Sequence, residues 1–276
     1  MTLRQAINTI EQAIAHLYPA QEATAIAREV ICRKCDYGFS QLVMHYDDCV
    51  DIADFEAIVT QLAAARPVQY VTGVATFCDM DFAVREGVLI PRPETEELVN
   101  LVSEHCKAGA RIIDVGTGSG AIAISLARMV ADAEVVGVDI SDTALEVARQ
   151  NAEQLGANVT FAKADALGDM THLGTFDAIV SNPPYIPQSD IAAMHANVVD
   201  YEPHTALFVA DNDPLCFYRS IARNGVKMLR EGGELFFEIY EAFGADMVAM
   251  LEGMGYHDTI VIKDIFGKER MVWSRR

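Results

Sequence analysis

Basic side chains are scarce in this sequence. Its 276 residues hold 21 Lys and Arg against 40 Asp and Glu, a formal net charge of −19. Residues 1–75 carry 5 basic and 9 acidic side chains, and the remainder carries 16 and 31. By count, neither part offers the Lys/Arg footprint that nucleic-acid binding uses, so no direct nucleic-acid contact is expected. An acidic surface also serves simply to keep a protein in solution. Long apolar runs are missing too: none reaches the roughly 18 residues of a membrane span, and no membrane association is expected. Met1–Gln5 lacks the apolar core and small-residue cleavage site of a signal peptide, so a cytoplasmic location is expected. There are only six cysteines, and in the cytoplasm a disulfide framework is not expected. Cys32, Cys35, His45 and Cys49 have the side-chain types of a zinc site. However, Cys32 and Cys35 share one face of an apolar helical pattern, where free cysteines are commonly buried, and no metal is expected.

What is present describes an ordered globular chain, 51% hydrophobic and 22% charged. Its length suits one large domain with a small one, or two medium ones, and a monomer is expected. Residues 1–66 read as all-helical. Thr2 and Gln5 have capping-box spacing, and Leu3, Ile7, Ile10, Ile14 and Leu17 recur at helical spacing until Pro19. A second helix is predicted from Gln21 to Cys35, and shorter ones over Ser40–His45 and Asp54–Ala65. No catalytic spacing occurs here, and such a bundle reads as a partner-recognition or lid module. Residues 67–88 read as a hairpin linker, with strands at Val71–Phe77 and Met80–Val84 joined by Cys78-Asp79. Pro93 then suits the first turn of a helix rich in early acids. Arg92, held between two prolines, has two readings: a charged clamp near a site, or a solvated loop residue.

Residues 89–276 alternate strands with helices, which predicts a doubly wound, mostly parallel sheet. Arg111–Val115 is a buried-strand pattern leading into Gly116-Thr117-Gly118-Ser119-Gly120 and then an apolar helix. A second strand ends at Asp139, nineteen residues after Gly120, where an acid can accept both ribose hydroxyls. The spacing G-x-G-x-G differs from the G-x-G-x-x-G that closes on a dinucleotide pyrophosphate. With Asp114 just before the loop, it suits an amino-acid ammonium or a sulfonium, pointing to S-adenosylmethionine rather than NAD. Asp165-Ala166-Leu167, after the third strand, lies where an adenine amino group could be met; a helix cap is the other reading of Asp165. Later strands are predicted at Phe176–Ser181, at Glu234–Ile239 after a Gly232-Gly233 turn, at Tyr256–Ile262 and at Arg270–Trp273.

Asn182-Pro183-Pro184-Tyr185 follows the strand at Phe176–Ser181, on the sheet edge where ligands of open α/β folds bind. Two prolines remove backbone donors and fix extended geometry. The Asn182 side chain and the Pro183 carbonyl then stand as fixed acceptors for a planar NH2 with two hydrogens. Holding both hydrogens aims the nitrogen lone pair at an electrophile. A plain Pro-Pro turn ending a strand is the alternative.

Together these stretches resemble the peptide chain release factor glutamine methyltransferases, a family also called HemK-like or PrmC-like. The matching residues are Gln69–Gly73, Leu89–Glu96, Asp114–Ala123, Asn182–Ile186, Tyr201–Pro203, Ala206-Leu207 and Gly267–Arg270. Asn-Pro-Pro-Tyr alone is shared with methyltransferases of nucleic-acid bases, whereas Ile90–Glu96 is more specific and separates the chain from the related ribosomal-protein glutamine methyltransferases. The resemblance implies a seven-stranded class I methyltransferase domain. It also implies methyl transfer to the glutamine amide of a release factor's Gly-Gly-Gln loop, with the helical part helping to dock that partner. Gly116–Gly120 and Asp139 are implied to bind S-adenosylmethionine, and Asn182, Pro183, Pro184 and Tyr185 to hold the glutamine. Ala166 stands where members of the family can carry a tryptophan. Rival readings are an amino-group methyltransferase of a ribosomal protein or a nucleic-acid base, an NAD-dependent dehydrogenase, and a nucleoside-binding interaction protein.

Overall fold

The computed structural model describes residues 1–276. Thr2 caps α1 (Leu3–Ile14) reciprocally: its hydroxyl accepts from Gln5 N at 3.2 Å, and Gln5 Oε1 accepts from Thr2 N at 2.9 Å. Leu3, Ile7, Ile10 and Ile14 form the buried stripe that their spacing predicts. α2 (Ala20–Cys35), α3 (Phe39–Met44), α4 (Phe55–Ala63) and α5 (Val68–Thr72) follow. These helices share one apolar cluster, to which Leu3, Ala27, Ile31, Leu42, Phe55 and Val71 contribute.

The first hairpin strand begins at Val74 and not at Val71; Val68–Thr72 is a helical turn. Pro67 precedes it, and Gly73, at φ +80°, closes it by donating to the Gln69 carbonyl at 2.8 Å. The Thr72 hydroxyl donates back to Val68 O at 2.9 Å, as threonines in helices do. The hairpin proper is β1 (Val74–Phe77) and β2 (Met80–Ala83). Its turn residues Cys78 and Asp79 both have positive φ, 47° and 58°, which matches the twist of paired strands.

The rest of the chain runs α6 (Pro93–His105), β3 (Arg111–Val115), α7 (Ala121–Met129), β4 (Glu134–Asp139), α8 (Asp142–Gln154), β5 (Val159–Lys163) and β6 (Phe176–Ser181). Short pieces come next: β7 (Ile186–Pro187), α9 (Ala196–Val199), α10 (His204–Leu207) and β8 (Phe208–Val209). The chain closes with α11 (Cys216–Met228), β9 (Leu229–Glu238), α12 (Gly244–Gly253), β10 (His257–Lys263) and β11 (Glu269–Arg275).

Seven strands form the expected doubly wound sheet, in the order β10-β11-β9-β6-β3-β4-β5. The five strands from β9 to β5 are parallel, and β11 runs antiparallel between β9 and the edge strand β10. Alternation along each strand serves both faces. Ile112, Val180 and Phe236 enter one cluster with Leu98 and Val102 of α6 and Ile124 and Leu126 of α7. Ile113, Ile179 and Phe237 enter the other, with Tyr218 and Ile221 of α11 and Met247 and Leu251 of α12. Each such side chain, fully buried, contributes about 1.5–3 kcal/mol.

Gly232-Gly233 is not a turn before a strand. β9 already begins at Leu229, and its pairing with β6 jumps from Phe176↔Leu229 to Ala178↔Glu234. The extra residues form a bulge, with Gly232 at φ +74°. Arg276 pins it, accepting from Gly232 N at 3.1 Å and donating to Gly233 O at 2.9 Å.

The contacts divide the chain into two compact units, Met1–Val74 with Met194–Tyr201, and Ala75–Ala193 with Glu202–Arg276. The first therefore runs past residue 66, where the helical pattern was expected to end, and includes α9 from much later in the chain. Within it the Tyr201 hydroxyl donates to the Ala64 carbonyl at 2.7 Å. No helix is long and apolar enough to cross a membrane.

Candidate active site

Strand order reverses at β3, so the crevice beyond the carboxyl ends of β3 and β6 is the topological switch point. The Ser181 hydroxyl fastens the two ends together, donating to the Val115 carbonyl at 2.6 Å. The glycine-rich turn after β3 and the Asn-Pro-Pro-Tyr after β6 thus emerge side by side. A cavity of about 460 Å³ opens there, within the second unit. Its walls include Arg92, Thr95, Gly116 to Ser119, Asp139, Asp165, Ala166, and Asn182 to Pro184.

The glycine-rich turn suits a nucleoside. Gly116 and Gly118 have φ of +79° and +56°, and a Cβ added at either would meet nothing within 4 Å. Those positions lie bare toward the open space. Asp139, at the end of β4, accepts from Gly118 N and Ser141 N, each at 2.9 Å. Burial raises its pKa while those backbone donors oppose the rise. Two bonds leave about two of a carboxylate's four lone-pair directions for hydroxyl donors. Leu167 of the Asp165-Ala166-Leu167 stretch and Ile140, which no motif marks, are exposed apolar side chains that line the same cavity. Asp165 lines it as well, and its Oδ1 accepts from Leu167 N at 2.8 Å. That bond caps a turn and not a helix.

Asp114 sits differently from its expected place beside a cation. It is fully buried and absent from the cavity wall; its Oδ2 accepts from the Thr117 hydroxyl at 2.6 Å. Burial pushes its carboxyl up to about 7, against the lowering effect of Thr117. Asp114 therefore braces the loop from beneath, and the case for the cofactor class rests on the glycine spacing and Asp139. Gly120, at φ +83°, is also off the wall and lies against Ala148 of α8. Asn151, which the sequence reading missed, ties this loop to the hairpin: its amide bonds Ser119 O, Ala83 O and Ala83 N at 2.7–3.0 Å.

Arg92, on the cavity wall, is paired within the chain and is not a freely solvated loop residue. Its Nη2 donates to Glu202 Oε1 at 2.5 Å, and the buried Glu202 also accepts from Ile90 N at 3.1 Å. These bonds give the Tyr201–Pro203 stretch a structural role, since Glu202 holds both Ile90 and Arg92 in place.

Asn182 donates from Nδ2 to Thr95 Oγ1 at 3.2 Å, and its Oδ1 has no partner within the chain. The Pro183 carbonyl is likewise unused. Tyr185 does not line the cavity; its hydroxyl turns inward to Glu238 Oε1 at 3.0 Å. Glu238 is buried at the end of β9 and takes the Thr95 hydroxyl on Oε2 at 2.6 Å. Burial raises the Glu238 pKa; the hydrogen bonds from Thr95 and Tyr185 and the charge of Arg270 oppose the rise. Neither Thr95 nor Glu238 was singled out from sequence, because nothing local marks a strand-end glutamate as buried. In the first unit, His45 Nδ1 lies 2.6 Å from Asp48 Oδ2, and no group of three or more His, Cys, Asp or Glu is placed to hold a metal ion.

A family model described as a methyltransferase domain matches residues 106–243, and one described as the PrmC N-terminal domain matches residues 5–73. The chain is similar to the release factor glutamine methyltransferase of Bacteroides thetaiotaomicron, at 45% identity over 271 residues, covering 97% of this chain and 98% of that one. The protein of the same description from Flavobacterium psychrophilum is 42% identical, over 82% of this chain and 81% of its own. Among solved structures, a 16S rRNA methyltransferase from T. thermophilus in complex with AdoMet and guanosine matches with a TM-score of 0.53 and 20% identity. That match covers 74% of this chain and 49% of the other, and the likeness is one of fold.

Proposed function

The chain belongs to the family of release factor glutamine methyltransferases, and we propose that it methylates the side-chain amide nitrogen of the glutamine in a release factor's Gly-Gly-Gln motif. The observation that carries this reading is the pair of unspent acceptors on neighbouring cavity-lining residues, Asn182 Oδ1 and the Pro183 carbonyl. A primary amide has two N–H hydrogens to match them.

S-adenosylmethionine, the methyl donor, supplies when bound an electrophilic methyl group on a positively charged sulfur. The Gly116–Ser119 turn, Asp139, Asp165 and Ala166 would hold it, with Asp114 and Gly120 supporting the turn from behind. An amide nitrogen is a weak nucleophile because its lone pair is delocalised into the carbonyl. Asn182 and Pro183, by accepting both hydrogens, fix the plane of the NH2 group so that its open face is turned toward the cavity, and stabilise the positive charge that nitrogen gains as the methyl group transfers. Orientation then contributes much of the rate, and the fixed dipoles stabilise charge as it develops. A proton leaves readily once the nitrogen is alkylated, so no general base is required. Tyr185 acts here as an anchor of the loop, and Arg92 as the clamp that fixes the Ile90–Pro93 wall. Residues 1–74 would help to dock the release factor, and the protein would work in the cytoplasm as a monomer.

Mass spectrometry tests this directly. A release factor incubated with the protein and labelled S-adenosylmethionine should gain one methyl group on the Gly-Gly-Gln glutamine. Asn182→Ala should lower the rate by at least about a hundredfold, as removing a charge-stabilising contact at a reacting centre does. Label found in nucleic acid and none in the release factor would overturn the substrate.

A further inference from the structure

One buried carboxylate reaches both ends of the Asn-Pro-Pro-Tyr segment. Glu238 Oε1 accepts from the Tyr185 hydroxyl, and Glu238 Oε2 accepts from the Thr95 hydroxyl, at 3.0 and 2.6 Å. Its own backbone carbonyl takes the Tyr218 hydroxyl at 3.1 Å. A hydroxyl has one proton. Thr95 gives that proton to Glu238, so what it offers Asn182 is a lone pair. Only the NH2 end of an asparagine amide can meet a lone pair, and the Nδ2 to Oγ1 distance is 3.2 Å. The opposite orientation would set two acceptors against each other in a buried place, an arrangement that leaves both unsatisfied.

We infer that Glu238, acting through the Thr95 hydroxyl, fixes which end of the Asn182 amide faces the cavity and so makes Asn182 an acceptor for the substrate amide. The inference rests on the function proposed above. Thr95 and Glu238 are positioning residues: they act through Asn182 and transfer no proton in the reaction. The direction of the two hydrogen bonds carries the effect, so shape alone does not reproduce it. Glutamine in place of Glu238 keeps the outline, yet its NH2 can donate to Thr95. The threonine proton is then free to turn toward Asn182, and the asparagine can reverse.

The test uses the whole chain with Thr95→Val, Thr95→Ser and Glu238→Gln. Thr95→Val should lower kcat for release-factor methylation about thirtyfold, while KM and the S-adenosylmethionine Kd stay within about twofold, the pattern of an interaction made in the transition state. Glu238→Gln should show the same split, and Thr95→Ser should recover at least about tenfold of the loss. An undiminished kcat in Thr95→Val, or a Thr95→Ser as slow as Thr95→Val, overturns the inference. Hydrogen exchange of the Asn182 side-chain amide, assigned by its disappearance in Asn182→Ala, reads the orientation without turnover. Slow exchange in the parent and in Thr95→Ser, and fast exchange in Thr95→Val, supports the relay whatever the methyl acceptor is. Equal exchange in all three overturns it. A protected Asn182 amide in a parent protein that puts no methyl on the release factor overturns the substrate reading alone.

Discussion

Asp114 is a carboxyl group without water, held against the Thr117 hydroxyl at 2.6 Å. Its folded-state pKa of about 7 lies well above its ordinary value of 3.8. Below the ordinary value, both folded and unfolded chains carry the proton, and the native state has its full advantage. As pH rises from there toward 7, the unfolded chain releases the proton first, and the native state loses ground until Asp114 itself ionises. Between about pH 4 and pH 7 this amounts to at most roughly 4 kcal/mol. Asp114→Asn removes that decline, so its urea stability relative to the parent should rise over the same interval. Parallel pH curves for the two proteins would show that Asp114 is not the titrating group. The sequence placed this acid beside the glycine-rich turn but could not say which way it faces. Facing is decided by Thr117, whose hydroxyl turns down onto Asp114.

At the scale of elements, β4 shows how one missing side chain shapes the loop. A Cβ on Gly137 would lie 2.7 Å from the Phe161 ring and 2.8 Å from Thr117 Oγ1. Gly137→Ala should therefore destabilise the protein by about 1–3 kcal/mol, the usual cost of overpacking. It should also weaken S-adenosylmethionine binding, because relief of the clash moves Thr117. Denaturation and calorimetric titration check the two effects, and unchanged values in both would refute the account. Elements with a clear pattern were legible in the sequence: β3 and β6 have their predicted bounds, and β4 ends at Asp139 as expected. The short pieces between Ile186 and Val209 were not, since β7, α9, α10 and β8, of two or four residues each, are too short to show a period. The glycine-rich turn, Asp139 and Asn182 could be read because each sits next to a strand pattern. Thr95 with Glu238, and Arg92 with Glu202, could not, because those partners are 143 and 110 residues apart and only the sheet order joins them.

For the molecule as a whole, the net charge of −19 is a property that a protein partner can sense at a distance. If the release factor meets this surface with basic groups, KM for the release factor should rise severalfold between about 0.05 and 0.5 M salt as the Debye length shortens. Initial rates over that range decide it, and a flat KM would remove electrostatic attraction from the account. The two compact units are not colinear with the chain, since the first takes residues 194–201 as well as 1–74. This has a consequence for how the protein is made. A ribosome delivers residues in order at about 5–20 per second, and early domains usually fold as they emerge. Here the first unit has to wait roughly ten seconds for its last segment at that pace. The Ala64 carbonyl meets the Tyr201 hydroxyl only after β6 and Asn182, which follows it, have already been synthesised. The part of the enzyme that is begun first is thus among the parts completed late.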